Sequence, residues 1–105
     1  MTTNWIDAAA QADVPEGDVM AVQLGGKEIA LYEVEGEVFA TDNICTHGHA
    51  RLCEGFLDGH MVECPFHQAL FNVRDGSVNC GPATEPVKSW PVKIENDRVY
   101  LDLTV

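Results

Sequence analysis

Two short pieces of this chain place a thiol beside an imidazole, and that pairing constrains the fold more than anything else in it. Cys45-Thr46-His47 is followed by sixteen residues and then by Cys64-Pro65-Phe66-His67. The whole chain has only four Cys and four His, so half of each falls in these two pieces. Two thiolates and two neutral imidazoles can hold a tetrahedral zinc or an iron–sulfur cluster of mixed ligation. Zinc fingers usually bring their ligands as a Cys pair and a separate His pair. Here each pair is mixed, which suits two irons, with Cys45 and Cys64 on one and His47 and His67 on the other. Either metal requires two loops brought face to face, and the rest of the chain has to supply a scaffold that does this.

The scaffold reads as all-β. Trp5 and Ile6 start a first strand, and Ala8 to Ala12 suggest one helical turn before Pro15. Met20, Val22 and Leu24 alternate with Ala21 and Gln23, the mark of a half-buried strand. Gly25-Gly26 is a two-residue hairpin turn, Lys27 to Val34 the next strand, Glu35-Gly36 a second turn and Glu37 to Thr41 a third strand. Residues 48–59 read as irregular, with His60 to Glu63 and Ala69 to Val73 as short strands around the second ligand pair. Arg74-Asp75-Gly76-Ser77 is a turn, and residues 80–86 form a stiff loop with two prolines. Trp90, Val92 and Ile94 are expected on one face. After the turn Asn96-Asp97, Val99, Leu101, Leu103 and Val105 oppose Arg98, Tyr100, Asp102 and Thr104. Residues 1–42 and 87–105 therefore form one β-sandwich or barrel, and 43–86 an insertion that carries the site.

Length and charge limit the function. At 105 residues the chain suits one domain. Its formal charge of −11 opposes binding to nucleic acid or to an anionic membrane face. A basic protein partner is the natural counterpart, although acidity also serves solubility alone. The longest apolar runs are four residues, where a spanning helix needs about 20. The start, Met1 to Asp7, has neither a basic n-region nor an apolar h-region. The expectation is a cytoplasmic protein without a membrane anchor.

Cys45-Thr46-His47-Gly48 and Cys64-Pro65-Phe66-His67 resemble the two cluster loops of the Rieske family, and Gly81-Pro82-Ala83 with Pro86 resembles its proline loop. Trp5-Ile6, Pro15-Glu16-Gly17-Asp18, Leu31 to Gly36 and Pro91 to Asn96 are similar to the ferredoxins of bacterial aromatic-ring dioxygenases, with the naphthalene dioxygenase type nearest. The resemblance implies a Rieske-type [2Fe–2S] cluster held by Cys45, His47, Cys64 and His67, in a Rieske-type β-sandwich with an inserted cluster-binding subdomain. It implies an electron carrier between a flavin-containing ferredoxin reductase and a terminal Rieske non-haem iron oxygenase, with no catalytic residue of its own. The cytochrome-complex branch carries one extra Cys in each loop and a Ser after the second His. Here those places are Ala50, Phe66 and Ala69. Fewer hydrogen bonds to sulfur imply a potential near the low end of a range of about −150 to +300 mV. The same resemblance implies a potential that falls at high pH as a ligand imidazole loses its proton. Two other readings compete: a Rieske-like small subunit of a nitrite reductase, and a zinc-stabilised interaction module. His49 and His60 read as surface imidazoles, Cys80 as a buried thiol and Cys53 as an exposed one. Trp5 and Trp90 read as core or sheet-face residues.

Overall fold

The computed structural model describes residues 5–44, 50–65, 68–80 and 85–104. The strands are β1 (Trp5–Ala10), β2 (Val19–Leu24), β3 (Lys27–Val34), β4 (Glu37–Asp42), β5 (Phe56–Asp58), β6 (Met61–Glu63), β7 (Leu70–Asn72), β8 (Val78–Cys80), β9 (Ser89–Trp90), β10 (Val92–Glu95) and β11 (Arg98–Asp102). They form three antiparallel sheets, in the orders β1-β11-β10, β2-β3-β4-β9 and β5-β6-β7-β8.

β3 is the strand on which both cores depend. Ile29, Ala30, Leu31 and Tyr32 all have 0% exposure, so this unbroken apolar run is covered on both faces. Ile29 and Leu31 join Val38, Ala40, Trp90, Val99 and Leu101 in a core between the first two sheets. Ala30, Tyr32 and Val34 face the other way. They pack with Leu52, Val62, Cys64, Ala69, Phe71 and Val73, which ties the second sheet to the third.

Local turn chemistry sets the register. Gly25 and Gly26 both have positive φ and join Leu24 to its partner Lys27. Glu35-Gly36 and Asn96-Asp97 do the same between β3 and β4 and between β10 and β11. Both central residues of such a turn adopt the left-handed conformation, which matches the twist of the strands it joins.

Five sequence expectations need correction. The alanine run is not helical: β1 continues to Ala10, paired with Arg98, and only Gln11–Asp13 turns as a 3-10 helix. Alanine's helix preference is too small to outweigh pairing with β11. Residues 48–59 are not all irregular, because Leu52–Glu54 form a 3-10 turn and β5 forms a hairpin with β6 across Gly59-His60. Val78–Cys80 are a strand paired with β7, so the stiff loop starts after Cys80. Trp90 and Ile94 do not share a strand. Trp90 pairs with Ala40 in the second sheet, and beyond Pro91 the chain crosses to the first, where Val92 pairs with Leu101. Proline has no N–H to give a ladder, so the switch falls where the ladder breaks anyway. Asp102, expected outside, is buried and accepts the Thr104 backbone N–H.

Candidate metal centre

The third sheet gathers three loops at one end. Phe56 pairs with Glu63, Glu63 with Leu70, and Leu70 with Cys80. These four residues form one transverse row, and beyond it the chain has three connections to make. The first, 43–55, leads from β4 into β5. The second, 64–69, links β6 to β7. The third, 81–88, leaves β8 for β9. Cys45, His47, His49, Phe66, His67 and residues 81–84 lie outside the described residues, and the described part of the site is the necks of these loops.

The neck of the second loop is closed by Cys64, whose backbone N–H donates to the Ala69 carbonyl at 2.8 Å. Its side chain has 0% exposure and sits in the core with Val62, Ala69 and Phe71. Gln68, next to His67, takes positive φ, so the turn reverses sharply just past the second imidazole. Gly55 lies against this neck, where a Cβ would overlap the Glu63 carbonyl oxygen.

The neck of the first loop is closed by a bridge between Ile44 and Arg51 and by the Leu52 N–H donating to the Asn43 carbonyl at 2.7 Å. Arg51 forms a bidentate pair with Glu28 of β3, Nε to Oε1 at 2.7 Å and Nη2 to Oε2 at 3.1 Å. The Arg51 hydrogen bond holds the Glu28 carboxyl below the usual glutamate range. Cys53, read from sequence as exposed, is half-buried; its Sγ accepts from Asn43 Nδ2 and its backbone N–H donates to Asn43 Oδ1. The third loop is held at its far end by the Val87 N–H donating to the Gly76 carbonyl at 2.9 Å.

Other residues singled out from sequence lie apart from these necks. His60 is not merely solvated: it meets Phe39 edge to face, with ring centroids 5.7 Å apart, and its Nδ1 is 3.2 Å from Arg74 Nη2. Trp90 is buried under the Lys27 and Lys88 ammonium groups, and its Nε1–H donates to Asp42 Oδ1 at 2.9 Å. Cys80 takes its place in β8 through backbone pairing. Sequence reasoning gave no part to Asn43, Glu28 or Arg51. They meet only in three dimensions, and no periodicity links positions 28, 43 and 51.

A Rieske [2Fe–2S] domain model matches residues 4–91. The chain belongs to the Rieske [2Fe–2S] family. Within it, the chain is 60% identical over 103 residues to the ferredoxin component of the naphthalene 1,2-dioxygenase/salicylate 5-hydroxylase systems of Ralstonia sp, covering 98% of this chain and 99% of that one. The naphthalene 1,2-dioxygenase ferredoxin component of Pseudomonas aeruginosa is 57% identical, with 99% and 100% covered. Among solved structures, the Sphingomonas yanoikuyae B1 ferredoxin superposes with a TM-score of 0.90 at 41% identity, over 94% of this chain and 98% of that one. The chain is thus a Rieske ferredoxin of the kind found in dioxygenase systems, an electron carrier with a Rieske-type [2Fe–2S] cluster rather than a catalyst. The structure fits such a cofactor: the soft thiol of Cys64 is withdrawn from water at the neck of the second loop, in an apolar shell with Val62, Ala69 and Phe71.

Proposed function

We propose that this Rieske ferredoxin carries single electrons from a flavin-containing ferredoxin reductase to a terminal Rieske non-haem iron oxygenase, within a cytoplasmic aromatic-ring-hydroxylating dioxygenase system that breaks down aromatic hydrocarbons. The observation that carries the reading is the row Phe56-Glu63-Leu70-Cys80, which brings three loop connections to one end of the third sheet, with the Cys64 thiol buried at the neck of the second. Support for the partner comes from a solved complex of reduced oxygenase and oxidised ferredoxin in carbazole 1,9a-dioxygenase. It superposes with a TM-score of 0.87 at 36% identity, over 96% of this chain and 94% of that one.

Cys45 and Cys64 are assigned to one iron, and His47 and His67 to the other. The cluster supplies a site that takes up and releases one electron. The chain's own part is to bury the thiolate side, as it does at Cys64, and to leave the imidazole edge as the route to a docked partner. No acid, base or nucleophile is needed. The whole chain acts as one domain, with 43–86 as the cluster-binding part and 1–42 and 87–105 as its β base. Among the described residues no helix is long and apolar enough to cross a membrane.

Electron paramagnetic resonance of the dithionite-reduced protein tests the reading. A rhombic Rieske-type signal is the expected result, and a silent sample with stoichiometric zinc removes it. Ligand identity is tested by substitution. Cys45→Ser and Cys64→Ser should lose iron and stability together, because ligation is part of the folding free energy. Cys53→Ser and Cys80→Ser should keep the cluster. Full iron and native redox behaviour in Cys45→Ser would refute the assignment.

A further inference from the structure

Asn43 is fully buried and uses both its backbone and its side chain at the neck of the first loop. Its backbone N–H donates to the Glu28 carbonyl at 2.9 Å, and its carbonyl accepts from the Leu52 N–H at 2.7 Å. Its side-chain Oδ1 accepts from the Cys53 N–H at 2.9 Å. Its Nδ2 donates to Cys53 Sγ at 3.3 Å and, more distantly, to Glu28 Oε1 at 3.4 Å. Glu28 also grips Arg51 with both oxygens. Residues on both sides of the 45–49 segment are therefore fastened to each other and to β3. β3 is the strand buried on both faces, and so the least able to yield. On the opposite side, Asp42 ties the same neck to β9 and its approach. Its N–H donates to the Lys88 carbonyl at 2.8 Å, and Oδ1 accepts from Trp90 Nε1. A buried amide satisfied at both ends cannot slide without leaving donors or acceptors unpaired, which makes the neck resist small displacements.

We propose that Asn43 is a positioning residue of the electron-transfer site: it fixes the neck of the first ligand loop against β3 and thereby tunes the reduction potential. The inference rests on the assignment of Cys45 and His47 as ligands. Backbone N–H groups of ligand loops that point at sulfur stabilise the reduced, more negative state. A slack neck weakens those bonds and lowers the potential. Asn43 carries no net charge, so its replacement leaves the charge count of the site unchanged, and a shifted potential reports loop position. Glu28 and Arg51 lack this property, since removing either changes the local field directly.

The test compares three variants of the full-length, cluster-loaded protein with the unsubstituted chain. Asn43→Ala removes the side-chain brace. Arg51→Lys keeps the charge and loses the bidentate grip. Leu101→Ala opens a cavity in the other core, between the first two sheets. Midpoint potential, the paramagnetic resonance line shape and amide exchange at Leu52 and Cys53 are measured for each. Asn43→Ala should lower the potential, broaden the signal and speed exchange at Leu52 and Cys53 about tenfold, the loss of roughly one hydrogen bond's worth of protection. Arg51→Lys should shift the potential in the same direction by less. Leu101→Ala should unfold more easily with its potential unmoved. An unchanged potential and line shape in Asn43→Ala overturns the proposal. Should that variant take up no cluster, an unchanged potential in Arg51→Lys overturns it instead. An equal shift in Leu101→Ala does so too, because general loosening would then suffice. An unsubstituted chain with no iron–sulfur signal refutes the ligand assignment rather than the brace, which the exchange rates at Leu52 and Cys53 still report.

Discussion

Tyr32 is the largest of the fully buried side chains among the described residues, and its hydroxyl meets Thr41 Oγ1 at 2.8 Å. Burial pushes its phenol far above the ordinary tyrosine range, so it stays neutral at any physiological pH. Tyr32→Phe removes one partner, while Thr41 still donates to the Asp42 carbonyl at 3.0 Å. The expected cost is about 1 kcal/mol, read from the urea midpoint at constant slope. Glu28 makes a pH prediction. Its folded carboxyl titrates below the ordinary value because Arg51 hydrogen-bonds the charged form. The stability this adds is fully present above the ordinary glutamate range and is lost as pH falls through the lowered folded value. Urea midpoints between pH 7 and pH 3 should therefore fall less steeply in Glu28→Gln than in the unsubstituted chain. Equal slopes would show that the pair does not couple to folding. Asp75, lowered by its Ser77 hydrogen bonds, adds acid sensitivity of the same sign and is present in both proteins. The sequence made the thiols and imidazoles visible at this scale, because their chemistry belongs to the residue. It hid Asn43 and Glu28, whose importance comes from side-chain partners 10 to 23 positions away.

Among the elements, the hairpins were legible and the shortest strands were not. Gly25-Gly26, Glu35-Gly36 and Asn96-Asp97 announce left-handed turns through local backbone preference alone. β5 and β8 have three residues each, too few for alternation to stand out, and their existence depends on partners that the chain brings alongside. Gly55 shows how such an element can bear on the site. A Cβ there would overlap the Glu63 carbonyl and lie 3.2 Å from Pro65 Cδ. Gly55→Ala should destabilise the fold by about 1–3 kcal/mol, as overpacking does, and reduce iron retention by displacing the neck that carries Cys64, a proposed ligand. Gly59→Ala is the comparison: the residue has φ +58° but open space around it, so only backbone strain of about 1–2 kcal/mol is expected and iron should be retained. Thermal melts with parallel iron assays separate the two. Equal iron loss in both variants would show that the packing at Gly55 is not what matters.

Across the whole molecule, 17 acidic side chains face 6 basic ones, and three of the six basic groups already pair with carboxylates in Arg51–Glu28, Lys93–Glu95 and Arg98–Asp7. A field of this sign would steer association with a basic partner face. Electron delivery to the oxygenase should therefore slow steadily as ionic strength rises, since the screening length shrinks to about 3 Å at 1 M salt. Stopped-flow oxidation of the reduced ferredoxin checks this, and a rate indifferent to salt would limit the acidity to a solubility role. By itself the sequence determined the thiols and imidazoles present, their mixed spacing, the all-β character and the net charge, because each is a local or additive property of the chain. Tertiary structure decided that three connections open at one end of one sheet, that β3 serves two cores, and that Asn43 braces the first neck. These depend on hydrogen-bond register between strands far apart in sequence, and a one-residue slip in that register would turn every side chain to the opposite face.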